Sequence, residues 1–317
     1  MENLAPIVAF VYARPEHTKK MLESLEKNKL ANESELYIFS DNAKKEKDKI
    51  NVENVREIIR KTKQKNIFKN VVIVEAKQNK GLANSVIDGV TQIINKYGKA
   101  IVLEDDLILS TTFLQYMNNA LDFYEENNKI WSISGYNLPI MFPENYAKEI
   151  YLSYRGCSWG WATWKDRWNT VDWEVKDYKK FKHNMRKRKQ INRGGPDMAQ
   201  MLDAQMKGMC DSWAIRWCYQ QSKKNMYTVY PVKSLVTNQG LDGTGTHSGT
   251  TKLFDTENYN QVPRLENNLT INKKIIKNFN KKFYTGKKQT ILEICTILGI
   301  DNIVDKIRKA KLTSNGK

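Results

Sequence analysis

The chain is poor in cysteine, with four in 317 residues, and these four are scattered without CxxC spacing. This excludes a disulfide framework and a zinc site built on paired cysteines, and it predicts free, buried thiols at Cys157, Cys210, Cys218 and Cys295. No apolar run approaches the ~20 residues that span a bilayer. The apolar run at residues 7–13 is also too short for a secretory signal. We therefore expect a cytoplasmic protein that is at most peripheral on the inner face of the cell membrane.

Glycine-rich phosphate loops are missing as well. Neither GxGxxG nor GxxxxGK(S/T) follows the first apolar run, which continues instead into Ala13-Arg14-Pro15-Glu16. In dinucleotide-binding proteins and P-loop NTPases, such a loop lets the backbone approach the phosphates of the ligand. Its absence argues against both classes of protein.

Acidic residues are outnumbered, because 52 Lys and Arg stand against 35 Asp and Glu, a net charge of +17. The excess is concentrated in two segments. Residues 179–193 contain eight Lys and Arg and no acid, and residues 265–317 contain 12 Lys and Arg and 4 acids. Basic surfaces attract nucleic acid, anionic lipid headgroups or phosphorylated substrates, with solubility alone as the alternative.

Strand and helix patterns alternate through the first half of the chain. Buried strands are predicted at residues 6–12, 36–39, 71–74, 100–103 and 130–134. Helices with an apolar face are predicted at residues 17–30, 82–95 and 112–125, and around Val55 to Ile59. This alternation predicts an α/β fold with a mostly parallel, Rossmann-like sheet and helices on both faces.

Three consecutive acids, Glu104, Asp105 and Asp106, follow the predicted strand at 100–103. Like charges held together repel each other, and α/β sheets bind their ligands at the carboxyl ends of strands. A divalent cation that bridges to a phosphorylated ligand explains the cluster best, since Mg²⁺ and Mn²⁺ prefer oxygen ligands. A solvated acidic turn is the alternative.

Three motifs follow one another along the chain: NKGLA at 79–83, VLEDD at 102–106 and SWGWATW at 158–164. In this order they resemble the inverting GT-A glycosyltransferases around family 2 and, more distantly, N-acetylglucosaminyltransferase I. The resemblance covers residues 5–250 and implies a GT-A nucleotide-diphosphosugar transferase fold.

The resemblance also implies a division of the chain. A catalytic domain at 1–264 would consist of a nucleotide-sugar-binding half (1–135) and an acceptor-binding half (136–264). A basic helical tail at 265–317 would follow. This tail fits either an anchor on an anionic membrane surface or helices packed on the catalytic domain, and we weigh the two evenly.

Roles for single residues follow from the same resemblance. Asp106 would contact a Mn²⁺ or Mg²⁺ ion, Asp105 would face the ribose or the metal, and Glu104 would orient its neighbours. His247 matches a C-terminal histidine that coordinates the metal. Asp211 matches the acid that takes the proton from the acceptor hydroxyl in an inverting reaction. The other residues that the resemblance places at the donor are Ala13, Arg14, Asp41, Asn79, Gly81, Leu82, Gly160 and Trp161.

Some of these residues have a structural alternative. Asp41, expected to contact uracil, also suits an Asx turn or a helix cap, and Asp211 also suits a helix cap. Asp197 and Asp203 are weaker candidates for the base. Trp161 is expected nearest the ligands, although tryptophan is mostly buried in proteins. The Gly-rich stretch at residues 237–249 is expected to close over the donor and exclude water.

The leading hypothesis is a metal-dependent, inverting transfer of a sugar from a nucleotide-sugar, with a UDP-sugar favoured. The acceptor would be a hydroxyl of a glycan or of a lipid-linked saccharide in surface polysaccharide or glycan synthesis. A sugar nucleotidyltransferase is the second hypothesis, although the glycine-rich basic signature expected after its first strand is missing. The third is a non-enzymatic, basic nucleic-acid-binding protein. The positive charge of the chain fits binding to nucleic acid, but its aromatic residues lie away from the basic segments. We therefore expect no specific nucleic-acid partner.

Overall fold

The computed structural model describes residues 4–240 and 251–300. The strands are β1 (Ile7–Val11), β2 (Glu35–Ser40), β3 (Asn70–Glu75), β4 (Lys99–Glu104), β5 (Leu107–Leu109), β6 (Ile130–Ser134), β7 (Ile150–Ser153), β8 (Trp161–Trp164), β9 (Tyr227–Pro231) and β10 (Val236–Asn238). The α-helices are α1 (Pro15–Glu26), α2 (Lys49–Gln64), α3 (Leu82–Tyr97), α4 (Phe113–Tyr124), α5 (Lys165–Trp168), α6 (Tyr178–Lys182), α7 (Met185–Ile191), α8 (Met198–Met206), α9 (Trp213–Lys224), α10 (Lys273–Lys281) and α11 (Lys287–Ile297).

Eight strands form one sheet in the order β3-β2-β1-β4-β8-β6-β9-β7. The pairs β1–β2, β2–β3, β1–β4 and β6–β9 are parallel, whereas β8 and β7 run antiparallel to their neighbours. The strands β1, β2 and β4 therefore end at the same edge of the sheet. The predicted α/β class with a mostly parallel sheet is confirmed.

β1 is buried on both of its sides. Ile7 and Ala9 belong to the apolar cluster that includes residues of α1, α2 and α4, and Val8 and Phe10 belong to the cluster with α3 and α9. Because alternate side chains of a strand point to opposite faces, these two clusters lie on the two sides of the sheet. Helices cover both faces, as the sequence pattern predicted.

The predicted elements of the first half agree with the observed ones, and the largest difference lies at the end of α1. A helix to residue 30 was expected from the apolar spacing, but α1 ends at Glu26. Leu30 takes a left-handed backbone conformation (φ 71°) and leads into a short 3-10 turn, which directs the chain towards β2. A residue with a left-handed backbone conformation interrupts helical hydrogen bonding. The spacing of apolar side chains does not show where such a residue occurs.

A two-stranded ribbon adjoins the carboxyl edge of the sheet. β5 follows directly after the acids of β4 and pairs antiparallel with β10, with Leu107 opposite Asn238. The next residue of the ribbon, Gln239, donates its N–H to the Asp106 carbonyl at 2.8 Å. The ribbon therefore places the residue that follows β10 next to the acid motif.

The predicted tail contains α10 and α11, and both pack on the rest of the chain. Ile275 and Phe279 of α10 are fully buried. Glu293 of α11 pairs with the buried Arg188 of α7. One side of each of these two helices thus packs on the rest of the chain, while residues 301–317 lie outside the described part. None of the helices in the described ranges is long and apolar enough to cross a bilayer.

Candidate active site

The segments that follow β1 and β4 meet at the carboxyl edge of the sheet. The Tyr12 N–H donates to Asp105 Oδ2 at 3.3 Å. Two residues later, Arg14 Nη1 donates to Asp106 Oδ2 at 3.0 Å and lies 3.7 Å from Asp105 Oδ1. Ala13 lies between them in the chain. The structure therefore brings the predicted donor residues Ala13 and Arg14 to the two predicted metal-site acids.

The acids of this cluster are held in a poorly solvated place. Burial raises the pKa of Glu104 to about 8, with further increases from the charges of Asp106 and Asp105. Burial and then the charge of Asp106 raise the pKa of Asp105 to about 7. Burial also raises the pKa of Asp106, although the Arg14 guanidinium opposes the shift. Arg14 thus compensates the three acids only in part, and an added positive charge would stabilise their ionised forms.

One carboxylate oxygen of the cluster is buried and unsatisfied. Among the described residues, Oδ1 of Asp106 has no hydrogen-bond partner. Its other oxygen lies against Gly240, where an added Cβ would come within 2.1 Å of Asp106 Oδ2. A buried carboxylate oxygen without a donor is costly, and a cation that takes oxygen ligands would satisfy it. Asp106, with Asp105 beside it, therefore fits a Mn²⁺ or Mg²⁺ ion.

The protein supplies few ligands for such an ion. Within residues 4–240 and 251–300, no three Asp, Glu, His or Cys side chains form a cluster that could hold a metal. Mg²⁺ at phosphate-handling sites is usually bound by one or two carboxylates together with substrate phosphates. Asp105 and Asp106 match that arrangement. His247, predicted as a further metal ligand, and most of the predicted lid lie in 241–250, outside the described residues.

The start of α9 borders the acid cluster. Trp213 lies near Glu104 and lowers the pKa of that carboxyl, against the larger effect of burial. The hydroxyl of Ser212 caps the helix by accepting from the Ile215 N–H at 3.3 Å. Asp211 precedes this cap, so the alternative interpretation of Asp211 as the helix cap is wrong. Asp211, the predicted base, lies two residues before Trp213, the residue near Glu104.

The Asp211 carboxylate is open to solvent, with a side chain that is 60 % exposed. It is oriented by Arg216, whose Nη2 donates to Asp211 Oδ1 at 3.1 Å and whose Nη1 donates to the Trp173 carbonyl at 3.1 Å. An exposed ion pair of this kind holds a side chain in place at little energetic gain. The arrangement leaves the second carboxylate oxygen of Asp211 available to an acceptor hydroxyl.

The two weaker candidates for the base have structural partners instead. Arg155 donates to the two oxygens of Asp197 at 2.8 and 3.1 Å. Arg188 donates to those of Asp203 at 3.0 and 2.8 Å. Two-pronged pairs of this kind are strong and geometrically specific. Asp197 and Asp203 therefore hold the fold together, and Asp211 stays the prediction for the base.

The turn before α3 is built around Asp41. Its carboxylate accepts from the N–H groups of Asn42, Lys80 and Gly81 at 2.8, 2.9 and 2.9 Å, and from Asn79 Nδ2 at 3.0 Å. These donors use the acceptor capacity of the two oxygens. These contacts agree with the turn-forming alternative for Asp41, and the expected contact with uracil stays a prediction. Asp41 positions the turn that carries the predicted donor residues Asn79 and Gly81.

The first residues of α3 are accessible at this edge. Gly81 precedes the helix with φ 77°, and no described atom outside its chain neighbours lies within 4 Å of where its Cβ would be. Leu82 is exposed. Since the N–H groups at a helix N-terminus favour anions, the open start of α3 suits the phosphates of a donor. The prediction that Gly81 and Leu82 bind the donor stays consistent with their position.

Gly160 and Trp161 lie inside the protein instead. Gly160 has φ 64° and no room for a side chain, because a Cβ would come within 2.9 Å of a valine of β10. Trp161 is fully buried, with its ring stacked on those of Trp213 and Trp168 at centroid distances of 5.1 and 5.8 Å. The expectation that these two residues contact the donor is therefore corrected. Trp161 acts as the support of Trp213, which reaches Glu104.

Sequence reasoning missed three parts of this site. It assigned no role to Tyr12, and it treated Trp213 only as one of several aromatic neighbours of Asp211. It also overlooked the β5–β10 ribbon, although the apolar run Leu107–Leu109 directly after the acids is a signal of a further strand. Only the pairing of that run with β10 shows that Gly240 lies on Asp106.

No protein-family model matches the chain, and no curated protein matches it. Solved structures do show similarity. S. aureus TarS 1–349 is 11 % identical with a TM-score of 0.41, over 73 % of this chain and 59 % of that one. Galactosyltransferase LgtC, in complex with donor and acceptor sugar analogues, is 8 % identical with a TM-score of 0.36, over 71 % and 72 %. UDP-glucose pyrophosphorylase, complexed with UDP-glucose, is 13 % identical with a TM-score of 0.35, over 72 % and 90 %.

The chain spans less than two thirds of the TarS structures, 28 % of one and 59 % of another. A galactosyltransferase is among these similar structures. At identities of 8 to 13 % and TM-scores of 0.41 and below, the likeness is one of chain path alone. The chain's own residues form a buried acid cluster, Glu104 to Asp106, at the carboxyl edge of its α/β sheet.

Proposed function

We propose that the chain is a metal-dependent, inverting glycosyltransferase that uses a nucleotide-sugar, with a UDP-sugar favoured. The acceptor we propose is a hydroxyl of a glycan or of a lipid-linked saccharide, in surface polysaccharide or glycan synthesis. One observation carries this proposal: Asp106 presents a buried carboxylate oxygen without a hydrogen-bond partner among the described residues, at the edge of the sheet where β1 and β4 end.

The donor diphosphate is proposed to lie between Arg14 and the start of α3. Arg14 already lies on Asp106 and Asp105, so its guanidinium can contact a phosphate without leaving the site. Gly81, held by Asp41, leaves the helix N-terminus open on the same edge. Both groups favour negative charge, which increases on the diphosphate as its bond to the sugar breaks.

A Mn²⁺ or Mg²⁺ ion bound by Asp106 and Asp105 would act as a Lewis acid that neutralises charge on the departing diphosphate. The chain's own residues prepare that place. Tyr12 and Arg14 fix the two carboxylates, and Trp213 lies near Glu104 beside them. Gly240 supplies the space that Asp106 needs, since any side chain there would collide with the carboxylate.

Asp211 is proposed as the base. Its exposed carboxylate, oriented by Arg216, can accept the proton of the acceptor hydroxyl while that oxygen attacks the sugar. Transfer in a single displacement of this kind inverts the configuration at the sugar carbon. The position of Asp211 just before the cap of α9, whose next residue Trp213 contacts Glu104, supports its assignment to this site.

The experiment is a thermal-shift screen of UDP-, GDP- and dTDP-sugars with and without Mn²⁺, followed by turnover assays with the donor that binds. A ligand at a hundredfold excess over its Kd stabilises the folded protein by about 2.7 kcal/mol. We expect such a shift for one donor class with Mn²⁺ present. Asp106→Asn should lose the Mn²⁺-dependent shift and the turnover, whereas the surface control Glu57→Gln should keep both.

Asp211→Asn separates binding from chemistry. We expect it to keep the donor-induced shift and to lose transfer by about 10²–10⁴-fold, the usual contribution of a general base. NMR of the product from the wild-type protein would show inversion at the anomeric carbon. Near wild-type transfer by Asp211→Asn would remove this residue from the mechanism. Release of pyrophosphate from a nucleoside triphosphate and a sugar phosphate would instead identify a nucleotidyltransferase.

A further inference from the structure

α11 is packed with its polar side inward. Gln289 and Thr296 are buried, and Glu293 pairs with the buried Arg188. On the opposite side of the helix, Ile291, Ile294 and Leu298 are 58 %, 50 % and 67 % exposed. The helix of a water-soluble domain normally turns its apolar stripe to the core. α11 does the reverse, so its outward stripe has no protein cover among the described residues.

The inward contacts hold α11 against the first basic segment. Arg188 Nε donates to Glu293 Oε1 at 2.7 Å. His183 Nδ1 lies 2.7 Å from the Thr296 carbonyl oxygen. The helices α6 and α7, which contain the basic residues 179–189, therefore lie beside α11. Two basic segments that are about a hundred residues apart in the sequence become neighbours only in the folded chain.

The helices beside α11 carry exposed basic side chains. Lys179 and Lys180 of α6 and Arg186 and Lys189 of α7 are exposed, as are Lys287 and Lys288 at the start of α11. The exposed residues of α6 and α7 and the outward stripe of α11 are together called the basic–apolar surface. No acid occurs in α6 or α7, and the one acid of α11, Glu293, lies on its inward side and pairs with Arg188. This surface is therefore apolar in one part and uniformly positive in the other.

We propose that the basic–apolar surface docks the protein on an anionic phospholipid bilayer. A helix that lies in a membrane interface puts its aliphatic side chains among the acyl chains, while Lys and Arg remain at the anionic headgroups. Ile291, Ile294 and Leu298 supply the first element, and the lysines of α6 and α7 the second. Docking would bring the enzyme to the surface where a lipid-linked acceptor is found.

Other occupants fit this surface less well. A second copy of the chain would oppose one positive surface to another, since the protein carries a net charge of +17. Nucleic acid would use the lysines but not the aliphatic stripe, because its bases stack on aromatic rings. Residues 301–317 would bring four Lys and Arg at positions 306–311 beside lysines already present. The bilayer is the partner that uses both parts of the surface.

The test is flotation of the full-length protein with phosphatidylcholine vesicles, with and without phosphatidylglycerol, at about 0.1 M and about 1 M NaCl. Vesicle binding needs no donor and no turnover, so its outcome is independent of the proposed enzymatic function. We expect binding only to the anionic vesicles and only at low salt. Two variants separate the parts of the surface. The apolar variant is Ile291→Gln/Ile294→Gln/Leu298→Gln, and the basic variant is Lys179→Gln/Lys180→Gln/Arg186→Gln/Lys189→Gln.

Each variant should lower the partition coefficient on anionic vesicles by at least about tenfold, given ~1 kcal/mol for each basic residue near such a surface. The control Ile50→Gln/Lys61→Gln, on the exposed side of α2, should bind like the wild type. Thermal unfolding of all variants shows that they fold. Four results would overturn the proposal: no vesicle binding by the folded wild type, equal binding by all variants, dimerisation that the apolar variant abolishes, or binding of a random oligonucleotide in place of vesicles.

Discussion

Arg188 of α7 is the side chain whose replacement should destabilise this protein most clearly. It is fully buried and donates to Asp203 at 3.0 and 2.8 Å, to Glu293 at 2.7 and 2.5 Å, and to the Lys182 carbonyl at 3.0 Å. Burial lowers the pKa of Arg188, but the hydrogen bonds from it to Glu293 and Asp203 raise that pKa above its ordinary value overall. One guanidinium therefore holds two acids from α8 and α11.

The substitution Arg188→Met keeps much of the stem volume and removes the charge. It leaves the carboxylates of Asp203 and Glu293, which are 10 % and 16 % exposed, without their cation. Breaking a buried ion pair by removing one partner usually costs about 3–5 kcal/mol. Against a typical domain stability of about 5–15 kcal/mol, the variant should unfold at a much lower urea concentration.

The assay is equilibrium urea unfolding, with the free energy of unfolding of Arg188→Met compared with that of the wild type. The matched control is Arg60→Met, whose exposed pairs with Glu53 and Glu75 are worth at most about 1 kcal/mol.

One result would refute this reasoning. A loss of less than about 1 kcal/mol for Arg188→Met, similar to the control, would mean that the paired acids of α8 and α11 find water or another partner at little cost. It would also weaken the assignment of α11 to a fixed place beside α7.

Two further predictions concern the edge of the sheet. Asp41→Asn turns an amide NH₂ towards backbone N–H groups that now donate to a carboxylate. Because the turn before α3 is then no longer held, we expect the free energy of unfolding in urea to fall by about 2–4 kcal/mol and donor binding to weaken. An unchanged stability would show that the turn forms without this carboxylate. Gly240→Ala puts a Cβ within 2.1 Å of Asp106 Oδ2. We therefore expect the affinity for Mn²⁺ and donor to fall at least about tenfold in thermal-shift titrations, while the free energy of unfolding changes by less than about 1 kcal/mol. Wild-type affinity in this variant would show that Asp106 has room to move.

The sequence by itself determined the fold class and the place of the acid cluster. The strands that precede the helices are short, continuous and apolar, and such runs predict a buried parallel sheet without knowledge of any partner. The acids directly after β4 then had to lie at its carboxyl edge, because that position follows from the direction of the strand alone. The net charge and the cysteine content also follow from the sequence without knowledge of the fold.

Only the tertiary structure decided what each candidate side chain touches. Asp41 is bound by donors 38 to 40 positions further along the chain, and Arg188 by an acid 105 positions away. Trp161 looked like a ligand contact until the rings of Trp168 and Trp213 were found to cover it. The outward apolar side of α11 is a similar case, since a period of apolar residues shows that a helix has such a stripe but not which way it faces. Contacts between distant segments depend on how the whole chain packs, and local sequence patterns do not contain that information.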